Sequence, residues 1–232
     1  MPRMFDILKR AASKNNIPGV AFPKQIKDNF SSNKNTEKIP VLDSRGFIDA
    51  IKKKDFDSID IANEKYGQAC KTVEMLLNKI NNKESPEPLI EDIYKNVDIF
   101  TNQLILGDSL LEKVSEKINI ENYLQNHLLN VCIISLTIGL KMNFNKSKLH
   151  VLGMASILHD IGMTGFKDIT SKKGLLSQEE LKKIKEHPFV GANIISGIRM
   201  PFDSVKEIIE QHHERTNGSG YSLGLKGNNV NE

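Results

Sequence analysis

Five of the six histidines in this 232-residue chain (His127, His159, His187, His212 and His213) fall at positions that suit a metal centre, and Asp160 directly follows the second. Neutral imidazole is the commonest protein ligand for Zn, Fe, Ni and Cu ions, and an aspartate placed between two ions can bridge them. Two of the groups are contiguous, His159-Asp160 and His212-His213-Glu214. Packing alone gains little from setting such residues side by side. The pattern points to a hydrolytic metal centre whose nitrogen donors and bridging carboxylate suit Fe, Mn or Zn better than Mg or Ca. The sixth histidine, His150, fits neither group and reads as an incidental surface residue.

Helices must bring these side chains together. Leu124, His127, Leu128, Val131, Ile134 and Ile138 recur at helical spacing, which predicts a helix that turns His127 inward, where an unpaired imidazole is costly. Leu149, Leu152, Met154, Ala155 and Leu158 predict a second helix running down to His159-Asp160, and Gly162 lets the chain turn after the pair. His187 falls at the end of a third helix, with Pro188 opening the next. Val205, Ile208 and Ile209 predict a fourth that delivers His212-His213. Facing helices of a bundle are where such centres are built.

Upstream, Ala62, Tyr66, Ala69, Cys70, Val73, Leu76, Leu77 and Ile80 form an apolar stripe at helical spacing. Asn and Pro residues over 81–88 interrupt it, and Ile90, Ile93, Val97, Phe100 and Leu104 restart the period. A short amphipathic helix is expected at residues 4–11 and a polar linker near 27–38. Strand alternation and internal repeats are not evident, so the expected class is all-α. The expected division is a helical N-terminal region over 1–88 and a metal-bearing domain over 89–232.

Composition narrows the function classes. Hydrophobic residues at 39% and charged residues at 26% are ordinary for a globular protein. The net charge of +3 is spread along the chain, which argues against a nucleic-acid polymer as partner. The first 16 residues, with Arg3, Asp6, Lys9 and Arg10, lack a signal-peptide core, and no span of about 20 apolar residues is evident. Cys70 and Cys132 fall within apolar helical patterns and read as reduced core residues. A cytoplasmic protein without a membrane partner is the expectation.

The order His…His-Asp…His…His-His-Glu followed by Gly-x-Gly-Tyr resembles the HD-GYP family, a subgroup of the HD-domain metal-dependent phosphohydrolases. The resemblance runs from about Asp92 to the C-terminus. It rests on Leu158-His159-Asp160-Ile161-Gly162, on Lys185-Glu186-His187-Pro188, and on Gln211-His212-His213-Glu214-Arg215-Thr216-Asn217-Gly218-Ser219-Gly220-Tyr221. Leu175-Leu176-Ser177-Gln178-Glu179-Glu180 matches the usual intervening segment, with Ser177 and Glu180 set to form a helix capping box.

The resemblance implies hydrolysis of cyclic di-GMP, a bacterial second messenger, at two divalent ions, Fe or Mn. His127, His159 and Asp160 would hold one ion. Asp160 would bridge to a second held by His187, His212 and His213, and would orient the nucleophile as the catalytic carboxylate. Asn217, Gly218, Gly220 and Tyr221 would form a substrate-binding loop. The resemblance leaves room for a diguanylate cyclase or another signalling protein as partner, and for a homodimer.

Four departures accompany it. Met163 stands where the motif has lysine, Asn217 where it has aspartate, and Ser222 where it has proline. Tyr123 stands one turn before His127, where members with a third metal carry glutamate, so two ions are expected. The resemblance also implies closing helices with a final aspartate ligand, for which the sequence ends too soon at Glu232. The alternative expectation is a degenerate domain that senses a nucleotide or docks a partner without turnover.

Overall fold

The computed structural model describes residues 58–107, 109–115 and 122–230. The helix expected at 4–11 and the linker near 27–38 lie outside them. Nine α-helices are formed among the described residues, and no strand: α1 (Ser58–Asn81), α2 (Ile90–Leu106), α3 (Ser109–Val114), α4 (Tyr123–Lys141), α5 (Lys146–Leu158), α6 (Lys167–Thr170), α7 (Gln178–Ile184), α8 (His187–Ser196) and α9 (Ser204–Gln211). A 3₁₀ segment, Ile161–Phe166, joins α5 to α6.

The upstream stripes bury as expected. Ala62, Ala69, Val73 and Leu76 of α1 and Ile93, Val97 and Phe100 of α2 are each at most 1% exposed, and they share one core with α4 and α5. Each such side chain contributes about 1.5–3 kcal/mol of transfer free energy if of Val to Phe size. Helix α1 packs against α2, α3, α4 and the 3₁₀ segment, so it is continuous with the core that supports the histidines.

A tight α4–α5 hairpin sets the first half of the site. Asn143 takes a left-handed φ of 55°, and the Phe144 amide donates to the Gly139 carbonyl, which closes α4. Asn145 then caps α5 by accepting from the Lys148 amide at 3.0 Å. His127 lies about 20 Å up α4 from this turn and His159 about 20 Å up α5, at 1.5 Å per residue, so the antiparallel pair delivers both to one end. Helices α8 and α9 repeat the device. His187 sits in the first turn of α8 and His212 closes α9, and α9 packs on α5. His187 thus begins a helix rather than ending one. Ahead of it, Ser177 and Glu180 form the expected capping box on α7.

Other expectations are revised as well. The inward face of α4 comprises Leu128, Leu129, Cys132, Ile133 and Leu136, all fully buried, whereas Ile134 is 42% exposed and the His127 side chain 32%. Helix α4 is apolar on most sides, so its sequence period carries little information about which side faces in. For the same reason α4 is the one described helix long and apolar enough to cross a membrane; here it packs between α1, α2, α3 and α5. Lastly, His150 is a core residue, 1% exposed, not a surface one. Its Nδ1 lies 2.8 Å from the Lys146 carbonyl, its Nε2 3.3 Å from Asp98 Oδ1, and its ring stacks on Tyr94 at 4.3 Å.

Candidate metal centre

Asp160 lies at the junction of the two helix pairs, and its two oxygens face different imidazoles. Oδ2 is 3.2 Å from His127 Nε2 and 3.2 Å from His159 Nε2. Oδ1 is 2.9 Å from His187 Nε2 and 3.4 Å from His212 Nε2. His213 completes the second group, its ring centroid 4.2 Å from that of His212 and 5.0 Å from that of His187. Two clusters of donor atoms result, His127-His159-Asp160 and Asp160-His187-His212-His213, each within 4.8 Å. The structure thus brings together all six residues that the sequence singled out.

Backbone carbonyls set the protonation of three rings. The Nδ1 atoms of His159, His187 and His212 lie 2.8, 2.8 and 2.7 Å from the carbonyls of Ser156, Ile184 and Ile209. A carbonyl only accepts, so each Nδ1 carries the hydrogen, and in the neutral ring Nε2 presents a bare lone pair to the centre. His187 Nε2 and His212 Nε2 are 3.2 Å apart, and Asp160 Oδ1 is buried without a hydrogen bond. Acceptor therefore faces acceptor. Such an arrangement is stable only with protons or a cation between the groups.

Electrostatics favour the cation. Burial disfavours charge on His212, and it holds His213 down at about 3 together with the neighbouring His212 and His187. Burial alone would raise the Asp160 carboxyl; hydrogen bonds from the four imidazoles would hold it far below the usual carboxylate range, which needs a proton, or a cation in its place, at their Nε2 atoms. A carboxylate ringed by imidazole nitrogens is a donor set that could hold a metal ion. The residues present fit metal binding, in two groups that could each hold an ion.

Gly162 serves close approach rather than a turn. A Cβ there would overlap the His187 carbonyl oxygen and the Gly191 amide, so only glycine lets the segment after Asp160 lie against the start of α8. Met163 follows, half-buried, with its amide bonded to the Asp160 carbonyl at 2.9 Å.

The loop after His213 covers the second group. Tyr221 stacks on His213 with centroids 4.4 Å apart, meets His187 edge-on at 6.4 Å, and lies beneath Lys185 Nζ at 5.4 Å. Burial, with a smaller contribution from Asp160, pushes its hydroxyl up to about 12. Asn217 is exposed and spends its Oδ1 inside the loop, accepting from the Ser219 amide and hydroxyl at 3.0 and 2.8 Å. Gly220 lies so close to the Glu214–Arg215 backbone that a Cβ would overlap it, and Gly218 takes a φ of 76°. Ser222 takes a φ of 107°, which a proline ring cannot adopt, so this loop follows a path closed to the proline of the family motif.

Sequence reasoning missed the residue that holds the loop. Glu214 is 3% exposed, and its carboxylate accepts from the amides of Leu223, Gly224 and Leu225 at 2.6, 2.9 and 3.0 Å. Its place immediately after His212-His213 was the available signal.

Comparison with known proteins agrees with this geometry. Residues 102–231 match the HD domain family model. The cyclic di-GMP phosphodiesterase response regulator RpfG of Xanthomonas campestris pv. campestris is 35% identical over 89 residues, 38% of this chain and 24% of that protein. A cyclic di-GMP phosphodiesterase of Thermotoga maritima is 32% identical over 142 residues, 60% of this chain and 37% of its own. The 3'3'-cGAMP-specific phosphodiesterase 3 of Vibrio cholerae is 31% identical over 80 residues, 34% of this chain and 17% of that one. The chain thus spans well under half the length of these curated relatives, and no solved structure matches it. The matched region contains every residue of the histidine–aspartate cluster, and the chain belongs to the HD-domain family, in its HD-GYP branch.

Proposed function

We propose that the chain is a metal-dependent phosphodiesterase that hydrolyses cyclic di-GMP in bacterial second-messenger signalling. One observation carries this reading: a single buried carboxylate, Asp160, divides its two oxygens between two groups of imidazoles whose lone pairs face it. The names of the curated relatives, most of them cyclic di-GMP phosphodiesterases, supply the substrate. Residues 89–232 form the phosphohydrolase domain in this reading, 1–88 a helical N-terminal region, and the working compartment is the cytoplasm.

His127, His159 and Asp160 would hold one divalent ion, and Asp160, His187, His212 and His213 would hold the other, with Fe or Mn as the ions. When bound, such a pair polarises the phosphodiester and makes water acidic enough to attack near neutral pH. Everything else falls to the chain. Asp160 fixes the two ligand groups relative to one another and orients the attacking water at its free lone pairs. The carbonyls of Ser156, Ile184 and Ile209 keep three imidazoles in the ligand tautomer. Tyr221 walls the site beside His213, and Glu214 keeps that wall in place.

The purified chain, loaded with Fe or Mn, should carry two ions and convert cyclic di-GMP to the linear dinucleotide or GMP. A chelator should abolish turnover and the same metal restore it. A second reading, a module that binds the nucleotide without turnover, is favoured by Met163 in place of a cation near the phosphate and by the altered path at Ser222. Tight binding of cyclic di-GMP by the loaded chain with no product would select it.

A further inference from the structure

Tyr123 is the first residue of α4, 58% exposed, at the open end of the imidazole cluster. Its ring lies parallel to that of His127, 8° between planes and 5.8 Å between centroids. From His127 the ring contacts continue through His159 at 5.3 Å, His212 at 5.1 Å and His213 at 4.2 Å, ending on Tyr221 at 4.4 Å. The two ligand groups are therefore flanked by a tyrosine at either end. Tyr221 is half-buried beneath its loop, and Tyr123 is open to solvent.

A cyclic dinucleotide has a matching layout. Its two phosphodiesters close one ring, and its two purines project from opposite sides of that ring. With one phosphodiester at Asp160, a purine on the His127 side reaches outward over the start of α4. We infer that Tyr123 is a specificity-determining residue whose ring stacks on one purine of the substrate; the inference rests on the phosphodiesterase reading above. An exposed aromatic beside a histidine of the cluster offers a π-face, and base–aromatic stacking tolerates any base. Tyr123 accordingly selects for a purine-bearing diester over a plain one, without distinguishing guanine from adenine.

The competing role is positional: Tyr123 orients His127, which is a ligand. The two roles separate by experiment. In the metal-loaded full chain, Tyr123→Ala should raise KM for cyclic di-GMP about tenfold, leave kcat within about twofold, and leave metal content unchanged. Tyr123→Phe and Tyr123→Trp should restore the wild-type KM. Turnover of methyl para-nitrophenyl phosphate, a diester without a base, should be unaffected by all three. Competition of cyclic di-GMP and of 3'3'-cGAMP with methyl para-nitrophenyl phosphate on the metal-loaded protein should show both weakened alike by Tyr123→Ala. Unchanged affinity in Tyr123→Ala, with the wild type binding normally, overturns the stacking role. So does loss of metal that Tyr123→Phe repairs, which makes Tyr123 a positioning residue. A wild-type chain that neither binds nor cleaves either dinucleotide overturns the substrate reading itself and this inference with it.

Discussion

Two histidine–aspartate clusters lie along α5, one at each end, and they are built for different ends. Near the start of the helix Asp98 meets His150, but Lys146 Nζ is 2.7 Å from the same oxygen, so the carboxylate has a cation supplied by the chain. At the far end Asp160 faces His127, His159, His187 and His212, and all of its ion-pair partners among the described residues are imidazoles. The first cluster carries its own counter-charge. The second sets imidazole nitrogens around a carboxylate, with no lysine or arginine paired to it among the described residues. Histidine and aspartate thus form an internal tether in one place and a candidate set of metal donors in the other, and the presence of a lysine distinguishes them. Glu214 adds a third solution, a buried carboxylate satisfied wholly by three backbone amides.

The largest effect expected from this contrast comes from deleting each aspartate in turn. Asp160→Ala should lose bound metal and lower kcat on cyclic di-GMP by at least about a thousandfold, since both ligand groups share that one side chain. Asp98→Ala should keep its metal and stay within about twofold of wild-type kcat, while losing stability by about 1–2 kcal/mol. Chelation should lower the Tm of the wild type and of Asp98→Ala but not of Asp160→Ala, because only a chain that binds metal gains stability from it. Metal retained by Asp160→Ala, or lost by Asp98→Ala, would erase the distinction.

The contrast also shows what the sequence could reveal. His159-Asp160 and His212-His213 were legible because contiguous polar pairs at helix ends serve packing poorly, so their chemistry stood out in the chain. The buried faces of α1 and α2 were legible because each has a polar side that fixes the phase of the period. Helix α4 has little polar contrast, so the side of it that faces inward was read wrongly. His150 was read as a surface residue because its partner Asp98 is 52 positions away on another helix, and one histidine in a helical stretch gives no sign of burial. Glu214 was marked only by its place after His212-His213, and its hold on the loop was not legible for a further reason. Its three donors are backbone amides, which leave no mark on side-chain pattern.

A smaller effect should separate holding the loop from holding the metal. In Glu214→Ala the amides of Leu223, Gly224 and Leu225 lose their acceptor, at about 0.5–1.5 kcal/mol for each bond because water can reach these partly exposed donors, and the loop that carries Tyr221 should loosen. KM for cyclic di-GMP should then rise about ten- to thirtyfold, with metal content intact. Glu214→Gln should fall between. Its carbonyl oxygen can still accept from Leu223 and Gly224, which share Oε1 in the wild type, but its amide nitrogen meets the Leu225 donor head-on. Loss of metal in either variant would instead make Glu214 part of the ligand support.

The smallest effect lies in the acid stability of the first cluster. Burial alone would raise the Asp98 carboxyl, yet His150 and Lys146 together hold it at about 2, below the ordinary value of 3.8. A carboxyl depressed in the folded state contributes stability at every pH above the unfolded pKa, and that contribution is lost as pH falls through the folded one. The window is therefore about pH 4 down to pH 2. Its full size would be about 2 kcal/mol from the shift, and about 1 kcal/mol once the one-third exposure of the side chain is allowed for. Lys146→Met should remove much of this acid-sensitive stability and shift the unfolding midpoint upward in pH, with metal content and kcat at pH 7 unaltered. Urea titrations of the chelated protein at pH 2.5, 3.5 and 6 measure it without interference from metal release. A pH dependence identical in wild type and Lys146→Met would show that the lysine does not supply the charge that sets this cluster apart from the metal centre.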